Sequence, residues 1–283
     1  MFDVAIIGTG AAGVSAALTL AALDKSIIWF GSRSLSEKIR KAEKIRNYAG
    51  LSEVSGIEMA EAFRTQTERL GIEITEKTVT GVYDMGDYYG ILCNQDSFEA
   101  RSVIFATGVD SVKPVEGELE YLGRGVSYCA TCDGFLYKNK TIAVVCTSVE
   151  HEHEVEYLAG VAQKVYFIPL YKEPKIGGEN IEIIKKMPRA VRGGMKAETL
   201  EFADLSIKAD GMFFLKSAVA PDALLRGLDT EDGHIKVDRM CRTNMKGCFA
   251  AGDCTGRPYQ YAKAVGEGNV AAHSAAKYLA ENK

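Results

Sequence analysis

Gly8-Thr9-Gly10-Ala11-Ala12-Gly13 stands between a β-branched run, Val4-Ala5-Ile6-Ile7, and an alanine-rich stretch from Ala11 to Leu23. A second apolar run, Ser26-Ile27-Ile28-Trp29-Phe30, follows directly. Strand, tight turn, helix and strand in so short a span imply a right-handed crossover in a parallel sheet. Glycine serves three ends in such a turn: a sharp reversal, close backbone approach to a pyrophosphate, and helix–sheet contact. The helix N-terminus then offers its unpaired N–H groups and positive dipole to phosphates. One usual partner is missing. An acid for the ribose should end the second strand, and the chain has Phe30-Gly31-Ser32-Arg33 there.

The 283 residues suggest two domains, with no need of disulfides to hold their cores. Apolar residues make up 47% and charged residues 25%, a globular balance. A net charge of −4 provides no general field for nucleic acid or an anionic membrane. The run from Ala11 to Leu23 is too short for a bilayer span, and no basic segment precedes it as in a secretory signal. Seven cysteines, an odd number, fit a reducing, cytoplasmic setting better than a disulfide framework.

Further along, Glu58 to Leu70 has helical periodicity, residues 72–98 read as short alternating strands, and Ser102 to Ala106 as a buried strand closed by Thr107-Gly108. The opening theme then repeats, with Thr141 to Val145 as strand, Glu150 to Ala159 as helix and Lys164 to Ile168 as strand. Cys248 to Ala251 and Ala262 to Glu281 supply a last strand and helix. The expected organisation is a discontinuous domain of residues 1–110 and 216–283, with a second domain of residues 111–215 inserted. Gly252-Asp253, after the small-residue strand, would let backbone and carboxylate approach a polyol or phosphate chain; alone, it also reads as a turn aspartate.

Cys129-Ala130-Thr131-Cys132 is followed at once by Asp133-Gly134. A pair so spaced can bind zinc, cycle as a disulfide, or be inert. Zinc would ordinarily need a second pair, and cysteines 93, 146, 241, 248 and 254 form none. Beside a dinucleotide cradle, a dithiol exchanging electrons with a flavin is favoured. Asp133 is placed to move the thiol proton, or simply to cap a turn.

These residues, with Asn47-Tyr48-Ala49-Gly50, Ala106-Thr107-Gly108, Ala250-Ala251-Gly252-Asp253 and Gly266-Glu267-Gly268, resemble the low-molecular-weight thioredoxin reductase family over nearly the whole chain. The resemblance implies an α/β fold of two Rossmann-like, three-layer domains of the FAD/NAD(P)-linked disulfide reductase type, in a homodimer. It implies FAD held by Gly8, Gly10, Ala11, Ala12, Gly13, Ala106, Thr107, Gly108, Gly252 and Asp253, with Asn47 and Gln260 lining the flavin site. It also implies that Cys132 faces the flavin, that Cys129 attacks thioredoxin, and that Asp133 is the acid/base. Tyr259-Gln260-Tyr261 replaces the family's Arg-Gln pair, so Tyr259 or Tyr261 either stacks near the isoalloxazine or packs in the core.

The second turn departs from the NADPH-dependent members. Cys146-Thr147-Ser148-Val149-Glu150-His151-Glu152-His153-Glu154 contains no glycine for a pyrophosphate and three glutamates where a phosphate would sit. After the next strand, Pro169-Leu170-Tyr171-Lys172-Glu173-Pro174 keeps one lysine of the basic grip on a 2′-phosphate. In lacking these NADPH motifs the chain resembles the ferredoxin-dependent flavin thioredoxin reductases, a resemblance that implies reduced ferredoxin as donor and thioredoxin as acceptor. An NADPH-dependent reductase with an unusual cradle and a flavin redox sensor without turnover are the alternatives. An acidic ferredoxin would need a local basic patch. The candidates are Lys38, Arg40, Lys41, Lys44 and Arg46, or Lys185, Lys186, Arg189, Arg192 and Lys196.

Overall fold

The structure, a computed structural model, describes residues 1–40, 42–109, 114–216 and 221–282. Lys41 of the first basic cluster and the expected boundary residues 110 and 111 lie outside these. The chain divides into two compact units, Met1–Asp110 with Leu224–Lys283, and Ser111–Ala223.

The first unit opens with β1 (Phe2–Ile7), α1 (Ala11–Ala22) and β2 (Ile27–Phe30), as the apolar runs predict. β1 and β2 pair in parallel from Val4↔Ile27 to Ile7↔Phe30. Val4, Ala5 and Ile6 are fully buried, so this strand has no solvent face, as befits a covered parallel sheet. At the other end, the Ser26 hydroxyl and backbone N–H both donate to the Asp3 carboxylate at 2.9 Å.

After a single turn, α2 (Glu37–Arg40), comes α3 (Gly56–Arg69). Its N-terminus is a capping box: Ser55 Oγ accepts from the Glu58 N–H, and the Glu58 carboxylate accepts from the Ser55 N–H. Such a cap is worth ~1 kcal/mol. β3 (Ile74–Thr75) adds to the parallel sheet, then β4 (Gly81–Asp84), β5 (Tyr89–Cys93) and β6 (Asp96–Phe105) form a meander. β6 is one long strand where the sequence suggested a short one beginning at Ser102. Its first half is mostly exposed and pairs antiparallel with β5, while its fully buried end, Val103 to Phe105, runs parallel to β1.

The second unit contains β7 (Val126–Ser127), α4 (Ala130–Asp133), β8 (Thr141–Cys146), α5 (Glu152–Val161), β9 (Lys164–Pro169), β10 (Ile181–Ile183), β11 (Ala190–Gly193), β12 (Ala197–Glu201), β13 (Ser206–Lys208) and β14 (Gly211–Leu215). A parallel sheet in the order β10-β9-β8-β14-β7 forms its centre. β11 to β13 make a separate antiparallel sheet that the sequence reading did not anticipate. In β12 only Ala197 and Leu200 are buried, so the alternation is broken by Glu198, Thr199 and Glu201. The expected helix from Glu150 starts later: Val149–His151 is a 3₁₀ turn and α5 begins at Glu152.

After α6 (Pro221–Leu224), the chain returns to the first unit with β15 (Thr230–Glu231), β16 (His234–Ile235), β17 (Cys248–Ala250) and α7 (Tyr261–Glu281). β17 pairs in parallel with β6, making seven strands among the described residues. α7 packs on α1 so closely that a Cβ at Gly268 would lie 2.2 Å from the Ala12 carbonyl oxygen. Ser15 Oγ donates to the Val265 carbonyl at 2.7 Å across the same contact. The first compact unit resumes at Leu224, and Lys216, where the sequence suggests the return, is paired with Glu118 in the second unit.

Candidate functional site: a dinucleotide cradle and a redox disulfide

In the first unit the three glycines of the opening turn have separate jobs. Gly8 has φ +115°, and a Cβ there would lie 2.2 Å from the Ala106 carbonyl oxygen. A Cβ at Gly13 would lie 2.0 Å from the Gly8 carbonyl oxygen. These two permit the reversal and the helix–strand contact. Gly10, the N-cap of α1, differs: a Cβ there would meet nothing within 4 Å, and no side chain caps the helix. The first-turn N–H groups beyond it therefore face a space that a phosphate can enter.

The neighbouring residues converge on this turn. Gly252, at φ +89°, brings its backbone against Ala12, where a Cβ would come 2.9 Å from the Ala12 Cβ. The Ala251 N–H donates to the Phe105 carbonyl at 2.9 Å, which sets Gly252-Asp253 beside Ala106-Thr107-Gly108. Thr107 Oγ1 is buried without a hydrogen-bond partner. A buried hydroxyl left unpaired costs about 1–3 kcal/mol, and a bound polar ligand would recover it. The open Gly10 position and the orphaned Thr107 hydroxyl together fit a dinucleotide cofactor.

Asp253 is half-buried, and desolvation raises its carboxyl above the usual range against the opposing pull of Lys38, 3.8 Å away. Asn47 Nδ2 donates to Gln260 Oε1 at 2.5 Å, so these two predicted lining residues form one pair. The two tyrosines separate. Tyr261 is partly buried against the core and its hydroxyl donates to the Lys38 carbonyl at 3.2 Å. Tyr259 is exposed, hydrogen-bonded to His234 Nε2 at 2.6 Å, with the Arg257 guanidinium 5.2 Å from its ring centre.

Sequence reasoning missed the clamp beneath Gly252. Lys263 Nζ donates to the carbonyls of Gly252 and Gly256 and to Thr255 Oγ1, and pairs with Glu267 at 3.1 Å. Glu267 in turn accepts from the Gly252 N–H at 2.8 Å. The i,i+4 spacing of Lys263 and Glu267 on α7 was the available signal.

In the second unit Cys129 and Cys132 are disulfide-bonded, with Cα atoms 5.3 Å apart. Cys129 is the N-cap of α4, and the Cys132 N–H donates to its sulfur at 3.1 Å. An N–H aimed at this sulfur favours the thiolate once the bond opens. Asp133 closes α4 and is half-buried beside the pair. Phe135 and Leu136, in the 3₁₀ turn that follows, are exposed. The other five cysteines are free and buried, and burial raises every one of their thiols.

The corresponding turn of the second unit is closed by its own side chains. Ser148 Oγ caps the 3₁₀ turn at Glu150, and His151 Nδ1 contacts Glu154 Oε1 at 3.1 Å. Glu152, in the first turn of α5, is buried; its Oε1 accepts from the Tyr171 hydroxyl at 2.7 Å and from the Lys175 N–H at 2.9 Å. A carboxylate in the first turn of a helix is favoured by the dipole and disfavours an incoming phosphate. Some members of the two basic clusters are paired with carboxylates at the surface. Lys44 and Arg46 pair with Glu53, Lys186 pairs with Asp204, and Arg192 pairs with Glu116 and Glu201.

Residues 2–166 and 173–268 match the family described as pyridine nucleotide-disulphide oxidoreductase. The chain is 34% identical to a thioredoxin reductase of Helicobacter pylori strain J99, covering 99% of each. Among solved structures, a ferredoxin-flavin thioredoxin reductase from Clostridium acetobutylicum is 46% identical with a TM-score of 0.90, covering 99% of this chain and 98% of that one. A thioredoxin reductase from Gloeobacter violaceus is 28% identical with a TM-score of 0.77, covering 100% of this chain and 95% of that one. With an intact cradle, a redox disulfide and these relatives, the chain belongs to the pyridine nucleotide-disulphide oxidoreductase family, a group of flavoproteins, and stands among its thioredoxin reductases.

Proposed function

We propose that the protein is an FAD-dependent thioredoxin reductase that takes electrons from reduced ferredoxin rather than NADPH. The carrying observation is the contrast between its two turns: the first has the open Gly10 position, whereas the second is held shut by Glu152, Tyr171 and Lys175. The similarity to a ferredoxin-flavin thioredoxin reductase supports the same donor. A homodimer acting in a reducing, cytoplasmic setting completes the reading; no helix among the described residues is long and apolar enough to cross a membrane.

Bound FAD supplies the conversion between single-electron delivery and two-electron reduction of a disulfide. The first unit's residues would hold it: the α1 N-terminus would take the pyrophosphate, Asp253 the ribityl chain, and Asn47 and Gln260 would line the flavin site. Reduction of the Cys129–Cys132 bond takes two electrons and yields two thiols, with Asp133 carrying a proton at the pair. Cys129 thiolate then attacks the thioredoxin disulfide to form a mixed disulfide, releasing one thioredoxin thiolate. Cys132 attacks the Cys129 sulfur, restores the enzyme disulfide and releases the second thiolate. A donor near −400 mV and an acceptor near −270 mV leave about 6 kcal/mol for the two electrons.

An anaerobic titration followed by flavin absorbance tests the donor. Reduced ferredoxin bleaches the flavin, and NADPH leaves it yellow on the same timescale. Rapid stoichiometric bleaching by NADPH overturns the reading. Cys132→Ser abolishes thioredoxin reduction while ferredoxin still bleaches the flavin.

A further inference from the structure

Glu118 and Lys216 form a buried ion pair in the second unit, 2.6 Å from Nζ to Oε1, with side chains 0% and 4% exposed. The Tyr128 hydroxyl donates to the same Glu118 oxygen at 2.7 Å, and Glu118 Oε2 accepts from the Val115 N–H at 3.0 Å. The Lys216 ammonium also lies 5.7 Å from the centre of the Tyr128 ring and 5.6 Å from that of Phe214. Both carboxylate oxygens are thus used, and Tyr128 is held at its hydroxyl and at its ring.

Tyr128 is the residue immediately before Cys129. The strand that delivers it, β7, is only Val126–Ser127, at the sheet edge, paired with Met212 and Phe213 of β14. Two residue pairs are a weak anchor for a redox centre. Ser127 braces the turn onto Cys129 locally: its Oγ accepts from the Cys129 N–H at 3.0 Å and donates to the Cys129 carbonyl at 3.2 Å. Lys216 follows directly on β14, the strand that β7 pairs with, so the ion pair holds Tyr128 where the backbone ladder has ended. A buried ion pair is a poor source of net stability compared with apolar packing, and its best-attested use is to specify one geometry. Networks whose members are all satisfied make that specification rigid.

We propose that the Glu118–Lys216 pair is a positioning device for the redox disulfide, acting through Tyr128 to hold Cys129 against Cys132 and so to set how readily their bond is reduced. The inference rests on the reading of Cys129 and Cys132 as the redox couple. It does not depend on the donor or on thioredoxin. Loosening Tyr128 lowers the effective concentration of one thiol at the other, so the disulfide becomes easier to reduce and slower to re-form.

The test equilibrates the full-length flavoprotein with graded mixtures of reduced and oxidised dithiothreitol, then traps the thiols by alkylation and counts them by mass spectrometry. Lys216→Met shifts the equilibrium toward the dithiol by tenfold or more, about 30 mV for two electrons. Lys216→Arg keeps the charge and stays within threefold of the parent. Tyr128→Phe removes one hydroxyl and no charge; it folds even if Lys216→Met does not, and shifts the equilibrium in the same direction by at least threefold. The double variant is no worse than Lys216→Met alone, because both act on one anchor. A lowered melting temperature with equilibria within twofold of the parent for both single variants makes the pair merely structural and overturns the proposal. A ferredoxin that fails to bleach the flavin leaves this measurement untouched, so the two readings fail separately.

Discussion

Glu152 accepts the Tyr171 hydroxyl at 2.7 Å, joining the first turn of α5 to the segment after β9. In a nucleotide-binding unit these are the two places that grip a pyrophosphate and a ribose phosphate. Here one side chain bonds the other. Glu152→Ala removes the acceptor of two part-buried hydrogen bonds, from the Tyr171 hydroxyl and the Lys175 N–H, at about 0.5–1.5 kcal/mol each. It creates no NADPH-dependent flavin reduction, because Thr147, Ser148 and Val149 still carry side chains in the turn. A urea unfolding curve and an NADPH titration of the same variant check both halves.

The first turn gives the opposite pair of outcomes. Gly10→Ala places a methyl group in open space at a φ of −79°, which any residue adopts, so the fold keeps its stability within ~0.5 kcal/mol. The methyl then stands where the phosphate approaches, and bound flavin falls at least fivefold. Gly13→Ala drives a Cβ against the Gly8 carbonyl and lowers the yield of folded protein itself. The ratio of flavin absorbance to protein, with a melting curve of the flavin-free form, distinguishes the two.

The parts of the site that could be read along the chain are those written in consecutive residues. Gly8 to Gly13 and Cys129 to Asp133 are local: spacing, strand and helix signals coincide within a few positions. The departure of the second turn was equally local, because residues 146–154 contain no glycine. Glu118 and Lys216 are 98 positions apart, and no periodicity joins them. His234 and Tyr259 meet across 25 positions because β16 folds back beside the segment after β17. The sheet of β11 to β13 escaped notice for another reason: charged residues on its exposed face interrupt the alternation that marks a strand. The carboxylates that meet the basic clusters, Glu53, Asp204 and Glu116, were not legible either, because they arrive through folding.

Burial raises the thiols of Cys93, Cys241 and Cys248 to about 12 and those of Cys146 and Cys254 to about 11. An unfolded cysteine titrates near 8.5. The folded state therefore keeps protons that the unfolded state gives up above that pH. Their contribution to stability is complete below about 8.5 and is lost as pH rises toward 11–12, at about 1.4 kcal/mol per pH unit for each thiol. Urea midpoints at pH 8, 9 and 10 decline accordingly, and less steeply for Cys93→Ala. An equal slope in that variant removes Cys93 as a contributor.

Phe135 and Leu136 are 64% and 51% exposed directly after the redox pair, an unusual place for two large apolar side chains. On the proposed mechanism a thioredoxin brings its own disulfide within bonding distance of Cys129, and Phe135 and Leu136 are exposed apolar surface for that contact. Phe135→Ser therefore raises KM for thioredoxin about tenfold, equivalent to ~1.4 kcal/mol. The maximal rate stays near that of the parent, and ferredoxin still bleaches the flavin at the parental rate. Steady-state kinetics with varied thioredoxin and a rapid-mixing experiment with ferredoxin measure the two quantities. A reduced maximal rate at unchanged KM places the docking contact elsewhere and makes Phe135 a support for the Cys132 turn instead.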